Sequence, residues 1–341
     1  MSKQSGLLVE AATAEEFLNR EYPAKEPLIE HLLHRRDLVA LGARRRNGKT
    51  TFLTDLGVAL AMPARDFLGY AIPERRRTLM LALEDDPGEY QSFLRRIVGE
   101  NKLEGAFKVM TRDDFHSVDI NIDAGDEAFQ LEVMANAVTH ESDVVIVDNL
   151  AHVVNADFND SRRIHNAMKF FYRVAAEANS AVIIAAHPRK EKSDEKIRLE
   201  DDKVHFFESI MGSSMFINTT GSLWGLERRE DDDVTVFVGG RQRSEGTDAI
   251  TYIQRDESGW FKVIDTASAN LPNVLNTTGR QQAWAMLPRP GRSFSYTEGE
   301  AMVKGAMSSK STYAEWIRQC KRIKVIVDTP DRKLTKAQGC G

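Results

Sequence analysis

The chain lacks the features that mark a secreted or membrane-bound protein. Its 341 residues include only two cysteines, Cys320 and Cys340, so there is no disulfide framework and no thiol set for a structural zinc. No window approaches the ~18 consecutive apolar residues of a membrane span. The opening MSKQSGLLVEAATAEEF has none of the basic-then-apolar layout of a secretory signal. These absences predict a cytoplasmic protein without membrane contact. There is no low-complexity tract, no internal repeat and no excess of positive charge: the net charge is −5 and the pI about 6.0. Any nucleic-acid contact must therefore rest on a local patch rather than on the field of the whole molecule.

What is present is an alternation of short apolar runs with helical patterns. LVALGA (38–43), RTLMLAL (77–83), DVVIVDN (143–149), AVIIAAH (181–187), VTVFVGG (234–240) and ITYIQ (250–254) read as strands. Thr50–Ala61, Pro87–Val98, Ala124–Thr139 and Ser161–Ala178 read as helices between them. This alternation predicts an α/β fold with a mostly parallel central sheet flanked by helices. No helix separates the last two runs, so they are expected to pair antiparallel through a turn at 244–248. We divide the chain into a helical lead-in at 1–35, with helical stretches at Ala14–Asn19 and Leu28–His34, a core at 36–267, and an Asn/Thr/Pro-rich linker at 268–279. A small domain follows at 280–341. Three helical patterns (Arg280–Met286, Thr297–Ala306, Ser309–Arg322) and a hairpin over KVIVDTPDRKLTK give that last domain a winged-helix outline.

The sharpest motif is Ala43-Arg44-Arg45-Arg46-Asn47-Gly48-Lys49-Thr50, followed by Thr51. It leaves an apolar strand and opens an amphipathic helix, which is the context of a Walker A phosphate loop. Backbone N–H groups and a helix N-terminus present positive partial charge to phosphates. Lys49 is expected to reach the β/γ-phosphates of ATP and the Thr50 hydroxyl to bind Mg²⁺. The first glycine of the usual motif is replaced by Ala43, and three arginines fill the loop, so its first turn must be built differently. Val144–Asp148, four apolar residues ending in Asp, has the Walker B pattern and would hold Mg²⁺ through Asp148. Glu84-Asp85-Asp86 ends the second core strand. Asp85 or Asp86 suits a helix cap before Pro87, leaving Glu84 as the base that polarises water.

A glutamate after the second strand rather than beside Walker B resembles the RecA/DnaB-like superfamily of AAA family ATPases. LALEDDPGEYQSFLRRI in particular resembles hexameric replicative helicases of the plasmid RepA kind. The resemblance spans roughly residues 27–265 and implies further roles. Ala186-His187-Pro188 stands where the family carries a γ-phosphate sensor, which points to His187. Ile210-Met211-Gly212-Ser213-Ser214 resembles its RGSS stretch, with Met211 in place of Arg. Gly240-Arg241-Gln242-Arg243-Ser244 resembles its KQRNG stretch, which would make Arg243 an arginine finger reaching a neighbouring subunit, with Arg241 beside it.

Single-stranded DNA has two candidate surfaces. Arg189, Lys190, Lys192, Lys196, Arg198 and Lys203 follow His187 and can track a phosphate backbone, but interleaved acids cancel their charge as in an ordinary solvated loop. In the C-terminal domain, Lys310, Arg318, Lys321 and Arg322 lie on the expected recognition helix. Tyr313 and Trp316 share that helix, with Trp316 expected in the core. Arg75-Arg76-Arg77 reads as a surface turn. Together these features predict an ATP-hydrolysing, Mg²⁺-dependent DNA motor that forms a homo-oligomeric ring, most simply a hexameric helicase. The alternative is a non-motor RecA-like ATPase that acts as a switch in recombination, repair or regulation.

Overall fold

The structure, a computed structural model, describes residues 11–22, 24–63, 65–154, 161–187, 197–209, 219–229, 233–239, 250–265, 275, 277–307, 309–322 and 325–337. After the capped helix α1 (Ala14–Leu18) comes a hairpin of β1 (Pro27–Ile29) and β2 (Leu33–His34), then β3 (Leu38–Ala43) and α2 (Lys49–Ala61). A second hairpin, β4 (Asp66–Phe67) with β5 (Tyr70–Ala71), precedes β6 (Thr78–Ala82), α3 (Pro87–Val98), β7 (Phe107–Thr111) and α4 (Arg112–His116). Next are α5 (Glu127–Thr139), β8 (Val144–Asp148), α6 (Leu150–Val153), α7 (Ser161–Glu177), β9 (Ala181–Ala186) and α8 (Lys203–Ser209). Four further strands follow: β10 (Ser222–Arg228), β11 (Val234–Val238), β12 (Ile250–Arg255) and β13 (Phe261–Ile264).

The nine-stranded sheet has the order β13-β12-β11-β10-β3-β9-β8-β6-β7. From β10 to β7 every pairing is parallel, and β10 through β13 pair antiparallel. The expected antiparallel pairing of the 234–240 and 250–254 runs is present; its turn at 244–248 lies outside the described residues. Parallel strands are covered on both faces, so their residues are apolar without alternation. One face sends Leu79, Leu81, Val145 and Val147 toward α5 and α7. The other sends Met80 and Ile146 toward α2 and α3. The carboxyl ends of β3, β9, β8 and β6 stand side by side, where open α/β sheets place their ligands.

Three expectations need correction. Leu28–His34 is the β1–β2 hairpin and not a helix. Leu28, Ile29, Leu32 and Leu33 are all buried, and their spacing imitates a helical stripe. Pro27 starts β1 and pairs with His34, His31 takes a left-handed φ of 60° in the turn, and at the open end of the hairpin Arg35 N–H donates to the Glu26 carbonyl at 2.8 Å. Strands β7, β10 and β13 had no counterpart among the apolar runs. β10 (SLWGLER) conceals its strand character with Gly225 and a buried Glu227. Finally, Arg75–Arg77 is not a free surface turn: Arg76 is buried and donates to Glu26 Oε1 at 2.6 Å, and Arg75 Nε donates to the Ala61 carbonyl at 2.8 Å.

Beyond the sheet, helices α9 (Thr278–Met286), α10 (Tyr296–Met302) and α11 (Lys310–Arg322) precede a hairpin of β14 (Ile326–Asp328) and β15 (Leu334–Lys336). They enclose a separate core of Trp284, Phe294, Tyr313, Trp316, Ile317 and Leu334. Trp316 is inside as expected, and Tyr313 joins it. Among the described residues no helix is long and apolar enough to cross a membrane.

Candidate functional site

The phosphate loop begins on a strand. Ala43 is the last residue of β3 and pairs with Leu226 of β10, while Gly42 pairs with Ala186 of β9. Position 43 is therefore extended and needs no glycine, which accounts for the departure at the start of the motif. The left-handed turns fall later, at Arg46 (φ 64°) and Gly48 (φ 81°). Glycine takes such a φ without strain, and Gly48 sits at the N-cap of the 13-residue α2. The backbone there points unpaired N–H groups outward, as an anion site requires. Asn47 adds a buried side-chain amide nitrogen with no protein partner. Arg45 and Arg46 are exposed, whereas Arg44 turns inward. Thr51 follows on the first turn of the helix.

Lys49 projects from that first turn into a pocket formed by other strand ends. It is 5% exposed, and burial lowers its ammonium pKa. Its Nζ lies 3.3 Å from each ring nitrogen of His187, at the end of β9, and 3.8 Å from Glu84 Oε2, past the end of β6. The next residue, Thr50, donates its hydroxyl to Asp148 Oδ2 at 2.6 Å. Asp148 closes β8 and is fully buried; burial raises its carboxyl to about 6. Its second oxygen, Oδ1, is buried with no protein partner. A hydroxyl beside a carboxylate with one unclaimed oxygen is a hard-oxygen set that fits Mg²⁺. Among the described residues no group of three or more His, Cys, Asp or Glu is placed to hold a metal ion.

Glu84 is the meeting point of the remaining groups. His187 Nε2 lies 3.7 Å from Glu84 Oε1, and Asn149, the residue after β8, donates its side-chain amide to Glu84 Oε2. His187 and the Lys49 charge hold the Glu84 carboxyl down at about 2, so it is ionised and acceptor-only. Asp85 moves the other way, raised by burial and by the charge of Glu84. Asp86 is the N-cap of α3, accepting from Gly88 N at 2.8 Å and Glu89 N at 3.2 Å. Of the two acids expected to cap the helix, Asp86 does so, while Glu84 meets Lys49, His187 and Asn149.

Sequence reasoning missed two residues of this neighbourhood. Asn149 directly follows the Walker B strand, and its adjacency to Asp148 was the available signal. Glu227 was hidden because β10 was not read as a strand; it pairs with Arg44 of the phosphate loop. Other expected site residues stand apart from the pocket or cannot be placed. Arg241 and Arg243, the 210–214 stretch, and Arg189, Lys190, Lys192 and Lys196 lie outside the described residues. Lys203 is half-buried at the start of α8, and Arg198 pairs with Glu200. On α11, Arg318 is exposed and Lys321 donates to Asp328 Oδ1 at 2.7 Å. Lys310 and Arg322 are the first and last residues of that helix.

Comparison with known proteins places the same segment in a recognised group. The profile of the AAA domain family matches residues 6–193, that is 193 − 6 + 1 = 188 of the 341 residues, more than half of the chain. No curated protein matches it. Among solved structures, the crystal structure of the RadB recombinase is similar at 17% identity and a TM-score of 0.45, over 68% of this chain and 92% of that one.

Proposed function

The chain belongs to the AAA domain family, and from that premise we propose that its core is a RecA-like P-loop ATPase and that it is a ring-forming motor working on DNA, a helicase of the replicative kind. The observation that carries the hydrolytic part is the convergence of four strand ends. Lys49, Asp148, Glu84 and His187 leave β3, β8, β6 and β9 and meet within one pocket.

In this reading the N–H groups around Gly48 and the Lys49 ammonium take the ATP phosphates. Thr50 and Asp148 hold Mg²⁺, which when bound neutralises charge on the transferring phosphoryl group. Glu84 orients the attacking water and accepts its proton, with Asn149 fixing the carboxylate's direction. Engagement of Lys49 by phosphates removes one of the charges that hold Glu84 down, so its proton affinity rises when substrate is in place. His187, 3.3 Å from both Lys49 Nζ and the Ala43 carbonyl, is suited to sense the terminal phosphate. Arg243, with Arg241, would complete the site from a neighbouring copy, as the resemblance to ring helicases implies.

For DNA, support comes from the C-terminal domain, which we read as a winged helix. Its α11 buries Tyr313, Trp316 and Ile317 and leaves Arg318 exposed, and Arg332 and Lys333 of the hairpin are exposed as well. Such cations suit phosphate contacts. The test is the ATPase rate with and without single-stranded DNA, at two protein concentrations, followed by strand displacement on a forked duplex. A motor with shared sites shows DNA stimulation that steepens with concentration, and it separates the strands. Stimulation without displacement would replace the motor with a switch that uses ATP to control its assembly on DNA. A rate indifferent to DNA and concentration would remove DNA from the reading altogether.

A further inference from the structure

The first of the three arginines in the phosphate loop is directed away from the loop's Lys49 pocket and toward β10. Arg44 Nη1 pairs with Glu227 Oε1 on β10, and its Nη2 donates to the Ile197 carbonyl at 2.6 Å. Its guanidinium also lies 5.3 Å from the centre of the Phe206 ring on α8. The second Glu227 oxygen accepts from the Leu199 N–H at 2.5 Å. The Arg44 and Glu227 side chains are 14% and 7% exposed, so this charged pair is largely out of water, where breaking it by removing one partner is strongly unfavourable.

Alternate residues of β10 share a face, and two of them, with Arg229 just past the strand, dock the same stretch. Leu199 is fully buried against Gly225, where a β-carbon would lie 2.8 Å from its Cδ1, so a side chain at 225 would have to displace it. Glu227 holds the Leu199 N–H and Arg44. Arg229, also buried, donates to Glu200 Oε2 at 2.6 Å. The stretch so held follows β9 in the chain. At its other end His187 touches Lys49 and the Ala43 carbonyl, each at 3.3 Å. His187 is therefore tied to the phosphate loop through Lys49 and the Ala43 carbonyl, and Ile197 and Leu199 are tied to it through Arg44 and its partner Glu227.

We propose that Arg44 is a positioning residue held by Glu227, and that this buried clamp makes nucleotide binding in the phosphate loop and the ordering of residues 197–209 one coupled equilibrium. A ligand that fixes the loop fixes the guanidinium, and the guanidinium fixes the Ile197 carbonyl and, through Glu227, the Leu199 amide. Such coupling is reciprocal: whatever orders 197–209 tightens nucleotide binding by the same factor. The inference rests on the reading of residues 43–51 as the nucleotide loop but requires neither DNA nor a ring.

Hydrogen exchange of the full chain, with and without a non-hydrolysable ATP analogue and Mg²⁺, tests it, alongside direct titration with a fluorescent nucleotide. The expected result is that nucleotide slows exchange across 197–209 by about tenfold, within the usual range of such couplings. In Glu227→Gln, which turns one acceptor into a donor facing Arg44 or Leu199, the slowing falls below about twofold and nucleotide binds correspondingly more weakly. Arg44→Lys keeps the charge but loses the fork that spans a carboxylate and a carbonyl. It should behave likewise, and it serves should the Glu227 variant fail to fold. A purely structural pair would loosen 197–209 equally with and without nucleotide, and that outcome overturns the clamp. Wild type that binds nucleotide without protecting 197–209 also overturns it while leaving the nucleotide loop intact. A wild type that binds no nucleotide sinks both.

Discussion

The Thr50 hydroxyl donates to Asp148 Oδ2 across 2.6 Å, tying the helix that follows the phosphate loop to the end of a strand two places away in the sheet. The other Asp148 oxygen is left buried without a protein partner. Asp148→Asn keeps an acceptor for Thr50 but removes the charge a cation needs. Mg²⁺-dependent turnover should fall by at least about 10²-fold, measured as steady-state phosphate release, and the variant should remain folded.

Asp55 makes a separate prediction about pH. It lies on α2, accepts from the Phe261 N–H at 2.7 Å, and is raised by burial from 3.8 to about 7. The folded state therefore binds this proton more tightly than the unfolded chain. Stability from Asp55 is full below about 4 and is lost as pH rises through about 7. Asp148 acts with the same sign, up to about 6. Urea unfolding of the nucleotide-free protein should give higher stability at pH 5 than at pH 8. Asp55→Asn should flatten that difference and stabilise at pH 8 by on the order of a few kcal/mol. An unchanged pH profile would mean that Asp55 is not the buried acid described.

Lys49 and Glu84 should separate binding from turnover. Lys49→Ala should abolish detectable nucleotide binding and hydrolysis together. Glu84→Gln should bind nucleotide nearly as well as wild type, because the carboxylate touches Lys49 only at 3.8 Å, while turnover drops about 10²–10⁴-fold. Equilibrium titration and single-turnover hydrolysis on both variants check the distinction. Normal hydrolysis by Lys49→Ala would refute the site.

The C-terminal domain offers a comparison between two residues of one helix. Trp316 is fully buried and Arg318 exposed. Trp316→Ala should destabilise that domain by about 3–5 kcal/mol through the cavity it leaves. Arg318→Ala should leave melting unchanged, weaken DNA binding uniformly across sequences and lower the salt slope by about 1.

The parts legible in the sequence were those that follow from local chemistry. The strand–loop–helix at 38–61 is set by an apolar run and Gly48, although its helix, expected to be amphipathic, is buried from Phe52 through Ala61. Asp86 declared itself as a cap through Pro87, and Walker B through four apolar residues and Asp148. What escaped depended on partners far away in the chain. β10 carries Glu227, tolerated inside only because Arg44 meets it from 183 positions away. Arg76 looks like part of a solvated cluster until Glu26 neutralises it. The Leu28–Leu33 pattern fits a helix until Pro27 and the left-handed His31 turn it back. The pocket's positioning amide, Asn149, follows a recognised motif but acts on a carboxylate 65 positions earlier.

The place of β3 in the sheet has a consequence for how the protein comes into being on the ribosome. The strand that delivers the phosphate loop is flanked by β9 and β10, with Leu38 paired to Val182 and Ala43 to Leu226. A nascent chain holding the complete Ala43–Thr51 motif therefore has no neighbour for that strand until β9 has been made, roughly 135 further residues and about 7–27 s of synthesis. Through that interval an apolar strand and a cationic loop wait unpaired, and pairings of such long reach are intrinsically slow to form. The second neighbour, β10, emerges later still, so the strand that carries the phosphate loop takes its final place in the sheet long after that loop has been translated.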